Sequence, residues 1–521
     1  MLWFVPLFIT AQTISFNKAI DFNGFSEEGR AVLTTNTGYV IWGLGLDRTQ
    51  NGGWFSSMLI FTDTIGNVLD KKFYGVWGRH HYYGLTGSFV RLSSDGFAVA
   101  CTKTDSIKTD YDAVLIKYDE EGDTVFVKNI DFGKNEIGRT LIQTEDKGFV
   151  IVGIQSELNA IDPGVGRILL VKTNSTGNYK WHKAYNSPTR AFGLGIVSAH
   201  DGGYLLSGAG FAAGKDVDTY IIKTDTAGNI EWTKNYGTVN FDGGGIIKMS
   251  SDSNYIIVGR IDTFGLQTNS GQHLFSSYIM KIDLNGNMLW RYISNYGNSY
   301  HQFDMVREVA PGKGYIAVGE VYEEYFNGQN SVGILLRFDN DGNLLWEKRY
   351  ALPSDTPRNR NGFAGYSAIM DIQPTNDLGF ICTGITYYNN PDFWLLKLDS
   401  LGCMGDYCGL TDPNCYYRPY PNCDDTLSVA DLSYEQKDQR VVVYPNPATY
   451  QIHFKAFSKY AAVKSITLYD VTAKATLHET NSNKVIISSL PQGIYYYEVY
   501  IDDIMIPKEN SKPVRGKIVK Q

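Results

Sequence analysis

One short turn sequence returns seven times along the chain, and it restricts the possible folds more than any other feature. Each copy starts with Asp or Asn and has Gly at its fourth position; the copies are Asp63 to Gly66, Asp119 to Gly122, Asn174 to Gly177, Asp225 to Gly228, Asp283 to Gly286, Asp339 to Gly342 and Asp399 to Gly402. An apolar segment such as "AVLIKY" precedes each turn, and a second one further upstream opens at another turn, as in "KGFVIVG". A third segment lies before that turn, and a fourth follows the Asp-x-x-Gly turn. Each copy therefore predicts four short antiparallel strands.

Repeats of about 50 to 65 residues with four strands each are typical of a β-propeller, whose sheets, or blades, stack around a central axis. The sequence thus predicts an all-β chain with a seven-bladed β-propeller over residues 13–402. The Asp would cap each turn, and the Gly would take the positive φ that the hairpin requires. An aromatic residue follows the Gly by four positions in five copies, and we expect these rings to be buried between blades: Phe126, Trp181, Trp232, Trp290 and Trp346.

The seventh copy lacks a fourth strand, because no strand-like segment follows its turn. A replacement lies at the other end of the chain. "ISFNKAIDF" at 14–22 resembles "VFVKNIDF" at 125–132, with Phe16 and Lys18 at the same spacing as their counterparts. We expect this first strand to complete the last blade and close the ring, which removes an exposed sheet edge.

An apolar block at residues 2–9 is followed by the small or polar Thr10, Ala11 and Gln12. This pattern is typical of the end of a secretory signal peptide, to which we assign residues 1–12. The basic stretch that usually comes first is missing, which indicates either a start codon further upstream or a fragment. No internal apolar run reaches the length of a membrane span, so no transmembrane segment is expected.

Four of the six cysteines cluster in a linker that we place at 403–437: Cys403, Cys408, Cys415 and Cys423. Two disulfides fit an exported chain, and the three possible pairings stay open. A zinc site is the competing interpretation, but the linker has neither a Cys-x-x-Cys pair nor a nearby His. Cys101 and Cys382 lie within apolar strands of blades 2 and 7, where we expect buried thiols.

From residue 438 the pattern changes to about seven short strands, which predicts a small Ig-like β-sandwich. The segment 438–521 resembles the type A C-terminal sorting domain of the Bacteroidetes type IX secretion system. The resemblance rests on an ordered set of motif residues: Pro445, Asn446, Pro447, Leu468, Tyr469, Asp470, Gly493, Tyr495, Gly516 and Lys517. One position departs from the family pattern, since Ala473 stands where a Gly usually precedes the lysine. The resemblance implies recognition by the type IX machinery at the outer membrane after passage through the periplasm, and then release or attachment to the cell surface.

The phrase "DLNGNMLW" at 283–290 also resembles the repeats of quinoprotein and WD40 propellers. For alcohol-oxidising quinoproteins, the resemblance would imply a quinone cofactor beside two adjacent cysteines, with Asp and Glu around a calcium ion. No two cysteines are adjacent in this sequence, and the likeness covers only the turn and the Trp. We therefore interpret it as architectural and expect no cofactor.

Length variation is confined to the segments that join strands two and three of a blade and those that join one blade to the next. These segments share one face of the ring, called here the long-loop face; the opposite face, with the Asp-x-x-Gly turns, is the tight-turn face. Binding residues usually lie on such loops over a rigid scaffold. The conspicuous candidates on the long-loop face are Trp54, Trp77, His80, His81, Tyr82, Tyr300, His301, Tyr325, Arg358 and Arg360.

These candidates favour binding over catalysis. The aromatic rings could stack on sugars or peptides and the arginines could bind anionic groups, although loop rings also pack against neighbouring blades. Adjacent His80 and His81 would point in opposite directions in an extended segment, so no joint metal site is expected. No nucleophile elbow, zinc-protease motif or phosphate loop occurs, so no catalytic residue is assigned.

Composition adds one exclusion, because a net charge of -8 argues against a nucleic-acid partner. We therefore predict an exported binding or adhesion module for a glycan or a protein. The alternative is a glycoside hydrolase or lyase acting on polysaccharide, whose paired carboxylates would be distant in sequence.

Overall fold

The computed structural model describes residues 15–22, 27–47, 54–74, 80–83, 88–94, 96–105, 111–157, 166–186, 191–211, 217–238, 240, 242–262, 275–294, 300–322, 331–351, 366–387, 391–404, 441–444, 450–456, 461–470, 474–503 and 514–520. The chain forms two compact units, Met1–Tyr420 and Pro421–Gln521. Every regular element in the described residues is a β-strand, which confirms the all-β prediction. Across these ranges there is no helix with the length and apolarity of a membrane span.

The first unit contains seven antiparallel sheets of four or five strands in its described part. Its first strand is β1 (Phe16–Ile20). Blade 1 has β2 (Glu27–Thr34), β3 (Gly38–Asp47), β4 (Trp54–Asp63) and β5 (Val68–Tyr74); blade 2 has β6 (His80–Tyr83), β7 (Phe89–Arg91), β8 (Phe97–Asp105), β9 (Tyr111–Tyr118) and β10 (Thr124–Ile130). Blade 3 has β11 (Asn135–Gln143), β12 (Phe149–Ser156), β13 (Arg167–Thr173) and β14 (Tyr179–Tyr185).

The remaining blades repeat the same order. Blade 4 has β15 (Ala191–Ser198), β16 (Tyr204–Phe211), β17 (Val217–Thr224) and β18 (Ile230–Tyr236); blade 5 has β19 (Asp242–Gly243), β20 (Ile247–Met249), β21 (Tyr255–Ile261), β22 (Ser276–Ile282) and β23 (Met288–Ile293). Blade 6 has β24 (Tyr300–Glu308), β25 (Tyr315–Tyr322), β26 (Ser331–Phe338) and β27 (Leu344–Tyr350); blade 7 has β28 (Ser367–Pro374), β29 (Phe380–Tyr387) and β30 (Pro391–Leu398). In blades 2 and 5 the first-strand position is shared by two short strands, β6 with β7 and β19 with β20.

The N-terminal strand β1 supplies the fourth strand of blade 7. It pairs antiparallel with β30, and the register places Phe16 opposite Lys397. The indole Nε1 of Trp394 donates a hydrogen bond to Asn17 Oδ1 at 2.6 Å. The last blade is therefore built from both ends of the propeller segment, and the closure prediction is confirmed.

The seven sheets form a closed ring. The first strand of each blade contacts the first strand of the next: β2 with β7, β7 with β11, β11 with β15, β15 with β20, β20 with β24, β24 with β28 and β28 with β2. These strands surround the central channel of the propeller, and together they are called the channel wall below. Buried apolar side chains fill the space between blades, such as Trp42 and Leu59 of blade 1 against Val99 of blade 2. The fold is the predicted β-propeller.

The repeated turn joins each blade to its neighbour. All seven turn glycines have φ between 74° and 82°, the left-handed conformation that the sequence predicts. Each glycine lies against an aromatic ring of the preceding blade, so closely that a Cβ on Gly228 would lie 2.9 Å from the Trp181 ring. Phe16 occupies the same place against Gly66, so the closing strand also completes the ring of aromatic contacts.

The recurring tryptophans are less buried than the sequence predicts. Trp181, Trp232, Trp290 and Trp346 are half-buried, because they lie on the outermost strands of their blades. The fully buried indoles among the described residues are Trp42 and Trp394, on the second and third strands. The repeated tryptophans therefore cover the junctions between blades from outside.

The cysteines of the propeller strands behave as predicted, since Cys101 and Cys382 are buried free thiols. Cys403 lies just after the last turn and is 4% exposed. Cys408, Cys415 and Cys423 lie outside the described residues, so the two disulfides stay a prediction.

The second unit contains two antiparallel sheets in its described residues. Its strands are β31 (Val441–Tyr444), β32 (Gln451–Ala456), β33 (Ala461–Tyr469), β34 (Ala475–Thr480), β35 (Lys484–Ile486), β36 (Gly493–Asp503) and β37 (Val514–Lys520). They are ordered β31-β32-β35 and β34-β33-β36-β37. Phe454 of the first sheet and Tyr497 of the second share one core, with ring centroids 5.3 Å apart. The unit is a two-layer β-sandwich, and its likeness to an Ig domain stays a prediction.

Most of the motif residues that the structure describes in this unit lie where strands end or begin. Asp470 follows β33, and its Oδ1 accepts a hydrogen bond from Lys474 N at 3.1 Å, which closes the turn. The Tyr495 hydroxyl donates to the carbonyl of Pro491 at 2.9 Å and fixes the chain ahead of β36. Strands β33, β36 and β37 also contain Leu468, Tyr469, Gly493, Gly516 and Lys517, whereas Pro445, Asn446 and Pro447 lie outside the described residues.

Candidate functional site

The candidate residues of the long-loop face are only partly within the described structure. Trp54 begins β4; His80, His81 and Tyr82 lie in β6; and Tyr300 and His301 begin β24. Trp77, Tyr325, Arg358 and Arg360 lie outside the described residues. Strand β6 pairs with β8, from His80 opposite Asp105 to Tyr83 opposite Thr102, so the adjacent histidines lie in extended backbone. A role of these residues in binding stays a prediction.

His301 is placed differently from what its loop-like sequence suggests. Its side chain is 1% exposed, and its backbone N–H donates to the Phe275 carbonyl at 3.1 Å. Burial, together with the nearby positive charge of Arg349, lowers the pKa of His301 to about 3. Since this imidazole is neutral and enclosed, it belongs to the interior of blade 6 and not to an open surface.

The turns of the tight-turn face contain aspartates that already have partners, as do the third-strand lysines behind them. In the turn at Asp283, Oδ1 accepts hydrogen bonds from Asn285 N and Asn287 N, both at 2.8 Å. Behind this turn, the largely buried Lys281 forms an ion pair with Asp252 at 2.6 Å. Equivalent pairs of a strand lysine and a turn aspartate occur in three other blades: Lys172–Asp146, Lys223–Asp201 and Lys397–Asp377. These charges serve the geometry of the turns.

A β-bulge recurs in the first strand of five blades. The ladder to the second strand skips one residue in each, between Gly29 and Ala31, Gly138 and Thr140, Gly193 and Gly195, Phe303 and Met305, and Ile369 and Asp371. The extra residues are Arg30, Arg139, Leu194, Asp304 and Met370. A bulge aims its extra side chain away from the ladder and is frequent near binding sites. The sequence holds a weak signal for it, a Gly before a long side chain in three first strands, which the repeat pattern alone did not reveal.

Charged bulge residues of different blades interact electrostatically. Asp304 of blade 6 interacts with the charge of Arg30 of blade 1, although blade 7 lies between them in the ring. Burial raises the pKa of Asp304 to about 6, against the opposing effects of Gln302, Arg260 and Arg30. Gln302 Nε2 donates to Asp304 Oδ1 at 2.6 Å, and Arg260 in turn donates to Gln302. The two blades share only the central space, so these bulge side chains face the channel.

Two groups of three carboxylates join neighbouring blades. In each group, one residue follows the fourth strand of a blade, one lies in the third strand of that blade, and one lies at the start of the first strand of the next blade. The groups are Asp21, Asp392 and Glu27 between blades 7 and 1, and Asp131, Asp112 and Glu136 between blades 2 and 3. Within each group, one oxygen from every residue lies within 4.8 Å of the others. Glu27 is 2% exposed and Glu136 is fully buried. Burial raises the pKa of each of these two glutamates to about 7.

The donor set of these groups would suit a hard cation such as calcium, which prefers carboxylate oxygens. Both oxygens of Glu136, however, already accept hydrogen bonds, from Phe132 N at 3.2 Å and from Gln155 Nε2 at 3.1 Å. A proton held by the buried glutamate reduces the repulsion among the three close carboxylates. We interpret the groups as acid-stabilised junctions between blades.

Comparison with protein families identifies the C-terminal segment. Residues 442–508 match the family model of the secretion system C-terminal sorting domain. The C-terminal unit is therefore a sorting domain of the type IX secretion system, as its motif residues predict. The domain indicates export by that system to the outer surface or to the medium.

Comparison with solved structures agrees with the architecture and adds no argument of its own. The chain is 8% identical to the extracellular domain of a putative hybrid two-component system from B. thetaiotaomicron, with a TM-score of 0.38. This alignment covers 97% of the present chain and 57% of the other. For a puromycin hydrolase the identity is 11%, the TM-score 0.43 and the coverage 72% and 52%. For the β-propeller domain of the Trilobed protease from Pyrococcus furiosus the values are 11%, 0.40, and 73% and 94%.

The chain thus spans little more than half the length of the first two of these structures. No curated protein matches it.

Proposed function

We propose that the protein is a binding or adhesion module that the type IX system delivers to the cell exterior, with a glycan or a protein as its ligand. The observation that carries this proposal is the difference between the two faces of the ring. In the described residues of the tight-turn face, the aspartates of the turns and four third-strand lysines behind them are held by their neighbours. Variable segments above a rigid ring are the usual place for ligand contacts.

The proposed route of export rests on the signal-peptide-like segment and the sorting domain. Residues 1–12 would direct the chain into the periplasm, and the sorting domain would then carry it across the outer membrane. Two disulfides among the linker cysteines would suit the oxidising space through which the chain passes. The seven-bladed ring would be the functional part, and residues 438–521 would have no part in ligand binding.

The alternative is an enzyme acting on polysaccharide, and the carboxylate groups between blades are the observation that bears on it. Glycoside hydrolases use two carboxyl groups, one of which keeps its proton near neutral pH. Glu27 and Glu136 have pKa values raised by burial to about 7, but that same burial closes them to a sugar chain. We therefore assign them to the ring and favour binding.

A glycan array probed with the full chain, followed by a product assay on each glycan that binds, separates the two functions. Binding without any change in the size of the glycan supports a binding module. The appearance of shorter products, with or without an unsaturated end, would establish a hydrolase or a lyase in its place. Binding to no glycan would direct the search to protein ligands on the same face.

A further inference from the structure

One position of the channel wall has an apolar side chain in some blades and a polar side chain in others. It is the penultimate residue of the first strand, or in blades 2 and 5 of the later of the two short strands, and it pairs with the residue after the first Tyr or Phe of the second strand. Blades 1 to 4 have apolar side chains there, whereas blades 5 to 7 have polar ones; the residues are Leu33, Val90, Ile142, Val197, Lys248, Arg307 and Gln373. Because β20 and β24 contact each other, the lysine and the arginine lie on neighbouring strands.

Arg307 is held in place by the next blade. Its Nε donates to the Ile372 carbonyl at 2.5 Å, and its Nη2 donates to Asp371 Oδ1 at 2.9 Å. Asp371 is 1% exposed, and its Oδ2 accepts from Val32 N at 3.0 Å. Both oxygens of this carboxylate are therefore engaged, and the guanidinium still has donors to offer, since it carries five N–H groups.

Lys248 has no such partner. The described structure contains no hydrogen bond or ion pair to its Nζ, and the side chain is half-buried. The charges that act on it are those of Arg307 and Asp371. Burial and the like charge of Arg307 lower the pKa of Lys248 to about 7. Two cations on neighbouring strands repel each other, and an anion bound between them would replace that repulsion with attraction.

We propose that Lys248 and Arg307 bind a small oxyanion, a sulfate or phosphate group, at the tight-turn end of the channel. The guanidinium offers a planar fork of donors and the lysine a point charge, a combination suited to tetrahedral oxyanions. Lys248 lies two residues before the tight turn that opens at Ser250, at the opposite end of the channel from the long loops. The site is therefore separate from the proposed ligand face and does not depend on it.

Calorimetric titration of the full chain tests the site, with sodium sulfate and sodium phosphate added at constant pH and ionic strength. We expect the native chain to bind and Lys248→Met to bind at least about tenfold more weakly, the loss typical of one charge-assisted hydrogen bond. Lys248→Arg should retain binding. Lys313→Met removes the same charge from an exposed position in the turn after β24 and should leave the affinity unchanged.

A second titration, with a sulfated disaccharide and its unsulfated parent, distinguishes a free ion from a sulfate ester. Binding of inorganic sulfate alone assigns the site to free ions, and binding of the sulfated sugar but not its parent assigns it to an ester. Without added oxyanion, Lys248→Met should melt no lower than the native chain, whereas a purely structural lysine would lower the melting temperature when lost. Equal affinity of the native chain and Lys248→Met for every probe, or no binding by either, overturns the proposal.

Discussion

Single residues at the junctions between blades couple the stability of the ring to pH. Glu27 has a folded-state pKa of about 7, raised by burial from 4.5. Between these two values the folded protein holds a proton that the unfolded chain has lost. The stability contributed by protonated Glu27 is therefore complete below pH 4.5 and is lost as the pH rises towards 7.

Glu27→Gln should remove this dependence, because an amide resembles the protonated acid and does not titrate. We expect the variant to be more stable than the native chain at alkaline pH, by on the order of 1 to 3 kcal/mol, and close to it in acid. Thermal melting of both proteins across the pH range measures the difference. Glu121→Gln, at an exposed turn position, is the matched control and should follow the native curve. Parallel curves for Glu27→Gln and the native chain would exclude a protonated junction.

The half-buried tryptophans give a second prediction for single residues. The Trp290 ring lies 2.4 Å from where a Cβ of Gly342 would be, and its Nε1 donates to the Asn340 carbonyl at 3.1 Å. Trp290→Ala should destabilise the ring by about 2 kcal/mol, less than the 3 to 5 typical of a fully buried Trp. Leu289→Ala, at the exposed neighbouring position, should cost far less. Equal melting temperatures for the two variants would show that the ring contact does not join the blades.

Among the elements, β1 carries the closure. Deleting residues 13–22 removes its ladder with β30 and the contact of Phe16 with the turn at Gly66, and it exposes the edge of blade 7. We expect the melting temperature to fall by on the order of 5 °C or more. Deleting residues 1–12 alone is the control. A variant without β1 that melts like this control would mean that the ring is held closed by other contacts.

The strands and the closure could be predicted because they depend on local signals. Alternation, turn glycines and the spacing of Phe16 and Lys18 all lie within single repeats. The bulges and the channel charges could not be predicted, because the electrostatic interaction of Asp304 with Arg30 depends on how the four blades between them in the sequence are arranged. His301 was misplaced for a related reason: nothing in "NSYHQF" reveals that the strand begins at Tyr300 and that the imidazole is enclosed.

For the whole molecule, the sorting domain determines where the protein goes. A chain lacking residues 438–521 should be retained inside the outer membrane, because the segment recognised by the type IX machinery is missing. Fractionation of cells into periplasm, outer membrane and medium measures this, with the full chain as control. Normal delivery of the truncated chain would mean that export uses another signal.

The ligand face can be tested most directly by comparing loop variants with turn variants in one binding assay. Alanine at Trp54, Tyr82 or Tyr325 should weaken binding of the glycan or protein ligand and leave the melting temperature nearly unchanged. Alanine at Trp232 or Trp290 should lower the melting temperature and leave the affinity of the folded protein intact. Normal binding by the loop variants, with affinity lost only in the turn variants, would place the site on the opposite face of the ring and contradict the proposed function.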